Sequence, residues 1–257
     1  MKIVRCLADG AARYGQLCGR TIRELAVSPF EDGFDKHAPV YTGKEYQIDS
    51  IKLLTPCQPT KIMGVGVNYV KVAEELQVPV PTYPITFMKP TGTAIPTGET
   101  IRLPVFEGYD YLYEGEMGVV LGKEAYHVSQ EEALSYVLGC TCMNDITDRT
   151  KMNVDALKLK CVDTFAPFGP CIDTEVDPLH ARVRSWVNGE LRQDGTTADM
   201  LFNAAYIIEL FTSYMTLYPG DVISMGTPPG AGAVHPGDVI GVEIDDIGLL
   251  ENPAIGI

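Results

Sequence analysis

The sequence predicts a β-dominated α+β fold. Three observations carry that expectation. Short apolar, β-branched runs recur along the chain, and turns such as Pro219-Gly220-Asp221 and Pro236-Gly237-Asp238 separate them. Asn188-Gly189 stands between two such runs, the strongest short hairpin signal in the chain. Helical stripes are few. With 257 residues, 46% of them hydrophobic, the chain can build one sizeable core with a small appended domain.

Residues 1–57 read as a small β-rich lead domain. Ile3–Leu7 is strand-like, Ala8-Asp9-Gly10 is a turn, and Tyr14–Leu25 suggests short strands around another glycine turn. Residues 58–257 form the second block. Lys61–Val67 reads as a buried strand whose Gly64 and Gly66 mark close backbone approach, since the third glycine of a dinucleotide fingerprint is missing. Residues 70–76 suit a short helix, after which Pro79, Pro81 and Pro84 interrupt the chain. Ser129-Gln130-Glu131-Glu132 has the form of a capping box, and Ala133, Leu134, Val137 and Leu138 would give its helix an apolar face ending at Gly139. Cys140–Asp145 is strand-like. A third helix is expected from a Thr197 cap, with Met200, Leu201, Ala204, Ile207, Ile208 and Phe211 as its core stripe.

Composition excludes several function classes. The net charge of −14 shows no basic patch for nucleic acid. No apolar run is long enough to span a bilayer, and the first residues lack the long apolar segment of a secretory signal. A cytoplasmic protein is expected. Seven cysteines without a C-x-x-C pair argue against a disulfide framework or zinc knuckle, and read as small core residues.

The informative stretch is Tyr113-Glu114-Gly115-Glu116-Met117-Gly118-Val119-Val120-Leu121. Strand alternation puts Glu114 and Glu116 on one side. Two adjacent carboxylates in a buried run resist desolvation, and each raises the pKa of the other. A cation between them removes both costs. Asp145, at the end of another strand-like run, can supply a third oxygen. Such a set suits Mg²⁺, Mn²⁺ or Ca²⁺ and leaves about three octahedral places for water or substrate. The residues alone leave open a purely stabilising ion, or carboxylates paired with Arg149 and Lys160.

The ordered motifs then carry a resemblance. Gly64-Val65-Gly66-Val67-Asn68-Tyr69, Phe87-Met88-Lys89-Pro90, Tyr113-Glu114-Gly115-Glu116, Asn144–Arg149, Lys160–Pro170 and Gly226-Thr227-Pro228-x-Gly230 together resemble the fumarylacetoacetate hydrolase family. That resemblance implies a distorted β-sandwich or roll around one divalent ion, usually in a homodimer. It implies Glu114, Glu116 and Asp145 as metal ligands and Lys160 as the active-site lysine. Thr227 would hold a substrate carboxylate, aided by backbone N–H groups of the Gly226 loop. Lys89 and Arg149 stand as further pocket charges. Alternatively, Lys89 is an exposed strand-end lysine and Arg149 braces Asp145 or Asp148. Beside a metal ion, Lys160 should have a lowered pKa.

The implied substrates are small 2-oxo or enol carboxylates, processed through a metal-stabilised enolate. One departure separates the possible reactions. Many family hydrolases carry a histidine three residues after the Asn-Tyr pair and a glutamate three later, a pair that activates water. Here Val72 takes the histidine's place, while Glu75 keeps the acid as a catalytic candidate. The expectation is therefore an isomerase or decarboxylase of a 2-oxo or enol dicarboxylate. The alternatives are a C–C hydrolase of acylpyruvates using Glu75, Glu74 or Lys160 to position water, and a non-catalytic metal- and ligand-binding protein.

Overall fold

The computed structural model describes residues 1–150 and 155–257. Its largest sheet runs Tyr41–Gln47, Thr21–Leu25, Ala11–Cys18, Lys2–Ala8, Ala166–Asp173, Val137–Asn144, Gly115–Leu121, Val222–Ser224, Ile62–Gly66 and Ile85–Lys89, with two further strands pairing off that path. The lead strands therefore belong to the same sheet as the rest. Lys2–Ala8 joins it through Lys2 opposite Asp173 and Ile3 opposite Ile172. A five-stranded sheet runs Glu190–Thr196, Arg182–Val187, Val239–Ile244, Leu249–Gly256 and Ile101–Leu103.

Alternation along Gly115–Leu121 explains how the layers meet. Met117, Val119 and Leu121 enter a core with Val183, Val242 and Ile244 of the smaller sheet and Ile207, Ile208 and Phe211 of a helix. Val120 faces the other way, into a cluster with Ile62, Met143 and Phe168. Glu116 shares the face of Val120 by the two-residue period. The strand is buried along its whole length.

The Asn188-Gly189 hairpin forms as expected, both residues having positive φ, 53° and 81°. Helix α1 spans Val70–Glu75, also as expected. Two helical expectations need correction. Residues 133–136 make only a 3-10 turn, and Val137–Asn144 is a strand with Gly139 inside it. A side chain at Gly139 would stand 2.3 Å from the carbonyl oxygen of Asp173, so this glycine admits a neighbouring strand rather than ending a helix. Helix α2 spans Ala156–Lys160 and carries Lys160 at its end. Helix α3 spans Ala204–Thr212 and is capped by Asn203, whose side chain accepts from the N–H of Tyr206. Thr197 instead begins a short 3-10 turn, and Met200 and Leu201 precede the helix.

The close approach expected at Gly64 and Gly66 is present at Gly64, whereas a side chain at Gly66 would make ordinary contact with Ile85 at 3.7 Å. Gly64 pairs with Phe87 and Gly66 with Ile85 in adjacent strands. A side chain at Gly64 would stand 2.1 Å from the Phe87 ring, so that ring lies flat over bare backbone. Cys6, Cys57, Cys140, Cys142 and Cys171 are buried, and no described cysteine is paired. Among the described residues, no helix is long and apolar enough to cross a membrane.

Candidate metal centre

Glu114, Glu116 and Asp145 converge, with one oxygen from each lying within 4.8 Å of the others. Their convergence comes from strand register. Gly115 pairs with Asn144, so the end of Val137–Asn144 brings Asp145 beside the two glutamates. Glu114 lies at a break between Tyr111–Tyr113 and Gly115–Leu121. Its backbone is still satisfied, because its N–H donates to Asn144 Oδ1 at 3.1 Å and its carbonyl accepts from Asp145 N–H at 2.9 Å.

Each acid is braced by a further group. Ser224 donates to Glu116, and so does the N–H of Gly226 at 2.8 Å. Thr147 donates to Glu114 at 2.5 Å. Asp145 is held from both sides, by Lys89 on one oxygen and Lys160 on the other. Lys160 Nζ reaches Asp145 at 2.5 Å, Thr147 at 2.6 Å and Glu114 at 2.9 Å. It also stands 4.3 Å from the centre of the Phe87 ring, a cation–π contact.

These contacts set the protonation of the groups. Burial, then the charges of Asp145 and Glu114, push the Glu116 carboxyl well above the usual carboxylate range. Burial also works against the Asp145 carboxylate, but Lys160 and Lys89 outweigh it and hold Asp145 low. Burial dominates at Lys89 and lowers its pKa despite Asp145. At Lys160 burial is opposed and outweighed by Asp145 and Glu114, so its pKa is raised. The carboxylates, not burial, decide the charge of this lysine.

The residues fit a hard divalent ion. The donor set is all carboxylate oxygen, and among the described residues no histidine or cysteine belongs to the group. Glu116 carries a repulsion that a cation would relieve. An unpartnered, buried hydroxyl, that of Tyr69, also feels the charge of Glu116, which together with burial raises its pKa.

The other site candidates occupy distinct positions. Lys89 is 1% exposed, which corrects the exposed strand-end reading. Its ammonium also donates to the carbonyl of Ile146 at 2.8 Å, so it acts as a strut under Asp145. Arg149 braces Asp110 at 2.9 Å, in place of the Asp145 or Asp148 partner considered above. Thr227 donates to the Gly115 carbonyl at 2.9 Å and accepts from Gln193 Nε2 at 2.6 Å. The Gly226 N–H is directed at Glu116. Glu75 accepts from the N–H of Gly230 at 3.2 Å. Val72 is buried, so helix α1 turns an apolar group inward.

Sequence reasoning missed Thr147, Ser224 and Gln193. Thr147 lies two residues beyond Asp145, and Ser224 ends a strand that pairs with Gly118. Gln193 is fully buried in a hairpin strand and links the Gly115 N–H, the Ser185 hydroxyl, Thr227 and the Pro228 carbonyl. Only its uncharged polar side chain amid exposed neighbours marks it in the sequence.

An acidic triad, two lysines on Asp145 and a glycine loop thus meet on one β-sandwich. The chain belongs to the fumarylacetoacetate hydrolase family. The family description "Fumarylacetoacetate (FAA) hydrolase C-terminal" matches residues 61–254, and "Rv2993c-like, N-terminal" matches residues 1–56. A mitochondrial oxaloacetate tautomerase of Xenopus laevis is 36% identical, covering 80% of this chain and 69% of its own. The structure of a 2-hydroxyhepta-2,4-diene-1,7-dioate isomerase from Mycobacterium marinum superposes with a TM-score of 0.89 at 32% identity, covering 100% of this chain and 98% of its own. A maleylpyruvate hydrolase from Sphingobium sp. SYK-6, solved with manganese(II) and pyruvate, superposes with a TM-score of 0.82 at 27% identity, covering 100% and 99%.

Proposed function

We propose that this protein is a Mg²⁺- or Mn²⁺-dependent isomerase, tautomerase or decarboxylase of a small 2-oxo or enol dicarboxylate. The observation that carries the reading is the pairing of an intact triad and Lys160 with a buried Val72 on the lid helix. A divalent ion held by Glu114, Glu116 and Asp145 would supply Lewis-acid polarisation of the substrate's 2-oxo group.

The chain's own groups account for the rest. Lys160 Nζ reaches Asp145, Thr147 and Glu114, so it is placed to enter the reaction as a proton holder or hydrogen-bond donor. Lys89 holds the second oxygen of Asp145 and is itself tied to the Ile146 carbonyl. The Phe87 face keeps the Lys160 ammonium in place by an attraction that costs it no proton. Proton transfer next to a carbonyl, or loss of CO₂, requires no activated water. Val72 cannot take a proton from one. The similarity to an oxaloacetate tautomerase and a dienedioate isomerase supports the same reading.

The test is a panel of oxaloacetate and longer 2-oxo and enol dicarboxylates followed by ultraviolet absorbance with Mg²⁺ or Mn²⁺. Turnover that stops with a chelator is the expected result. The second reading, C–C hydrolysis, draws on the similarity to maleylpyruvate hydrolase. Acylpyruvate cleavage with no response to the dicarboxylates would replace the first reading by this one.

A further inference from the structure

Helix α1 is clamped at its start and packed in its middle by buried Val72 and Ala73, but its last turn is lightly held. At its start, the Asn68 carboxamide accepts from the Phe202 N–H at 2.9 Å and donates to the Phe202 and Met225 carbonyls at 2.9 and 2.7 Å. Beyond its last turn, Leu76, Val78, Val80 and Tyr83 are exposed. Among the described residues, one side-chain hydrogen bond ties residues 70–84 to another part of the chain. It runs from the Gly230 N–H to Glu75 Oε2, at 3.2 Å.

The donor in that contact is fixed. A side chain at Gly230 would stand 2.3 Å from the Arg192 carbonyl oxygen, so the backbone there lies tight against the hairpin. The Gly230 carbonyl accepts from the Tyr113 hydroxyl at 3.0 Å, and Gln193 holds the Pro228 carbonyl at 2.6 Å. The loop is therefore the stationary side and α1 the movable one. Between them lies a cavity of about 430 Å³, lined by Tyr69, Lys71 and Glu74 from the helix side and by Gly195 and Pro229 opposite.

We infer that Glu75 is a positioning residue whose carboxylate latches the last turn of α1 to the Gly226–Gly230 loop beside that cavity. The role needs an acceptor oxygen, not a transferable proton. Its kinetic consequence rests on the proposed function; the latch itself does not.

Hydrogen–deuterium exchange on the metal-free full chain tests the latch directly. In Glu75→Ala, amides of residues 70–78 should exchange roughly fivefold faster, the effect of losing one hydrogen bond. Glu75→Gln, which keeps an acceptor oxygen, should restore slow exchange. If oxaloacetate is turned over, KM should rise in the alanine variant more than kcat falls, and the glutamine variant should rescue KM. Unchanged exchange in Glu75→Ala would overturn the latch. So would a kcat lost equally in both variants with exchange unaltered, which would mark Glu75 as a proton-transfer group. Absent turnover across the whole dicarboxylate panel, with the exchange pattern as stated, would support the latch while removing the substrate reading.

Discussion

The acidic centre and the lid helix beside it are built by opposite rules. Glu114, Glu116 and Asp145 sit among buried groups, and every one has a partner besides the other acids, drawn from Thr147, Ser224, Gly226, Lys89 and Lys160. Helix α1 has a clamp at Asn68, one polar contact at Glu75 and exposed apolar residues beyond it. An over-braced centre holds its geometry whatever binds. A lightly tethered helix can change shape with the substrate. Under the proposed function, the chemistry belongs to the sheet and selectivity to the helix.

Breaking the bracing should have the largest effect. Lys89→Met removes one of two cations holding a fully buried Asp145. Removing one partner of a buried pair leaves an uncompensated charge, and we expect a loss of about 3 kcal/mol in urea unfolding. A loss near zero would mean Asp145 is satisfied by Lys160 alone. The glycine floor is the next test. Gly64→Ala forces the Phe87 ring away from its seat, at about 2 kcal/mol for an overpacked site. Adding Phe87→Leu should recover part of that loss, because the clash is with the ring alone. No recovery would assign the cost to the strand backbone. The smallest effect is the one already described for Glu75→Ala, confined to exchange in and just after α1 and to KM.

Much of this contrast could be read from the sequence, for a physical reason. Glu114 and Glu116 stand out because charge in a buried β-run is expensive, and strand alternation alone brings them to one side. Even the break at Glu114 leaves that convergence intact, since Asn144 and Asp145 satisfy its backbone. Gly64 was legible as a close approach, although only the register shows that Phe87 is what approaches.

What stayed hidden depends on partners distant in the chain. Nothing near Gln193 says that its amide will meet Thr227 and Pro228. The sequence left Lys89 as a pocket charge or an exposed strand end and could not show that burial wins there while the carboxylates win at Lys160. The helix expected over 133–138 failed because a capping box specifies only a first turn. Val137–Asn144 is fixed instead by its ladders to Gly115–Leu121 and Ala166–Asp173.

The central claim is that three carboxylate oxygens form one site for a hard divalent ion. Titrating Mn²⁺ into the metal-free protein and into Glu116→Gln, with binding read by calorimetry or by the loss of the free-ion electron paramagnetic resonance signal, tests it most directly. We predict one ion per wild-type chain and an affinity weaker by at least about a hundredfold in the variant, since even the partners of metal ligands are worth ten- to a hundredfold. Equal Mn²⁺ uptake by the two proteins would contradict the account.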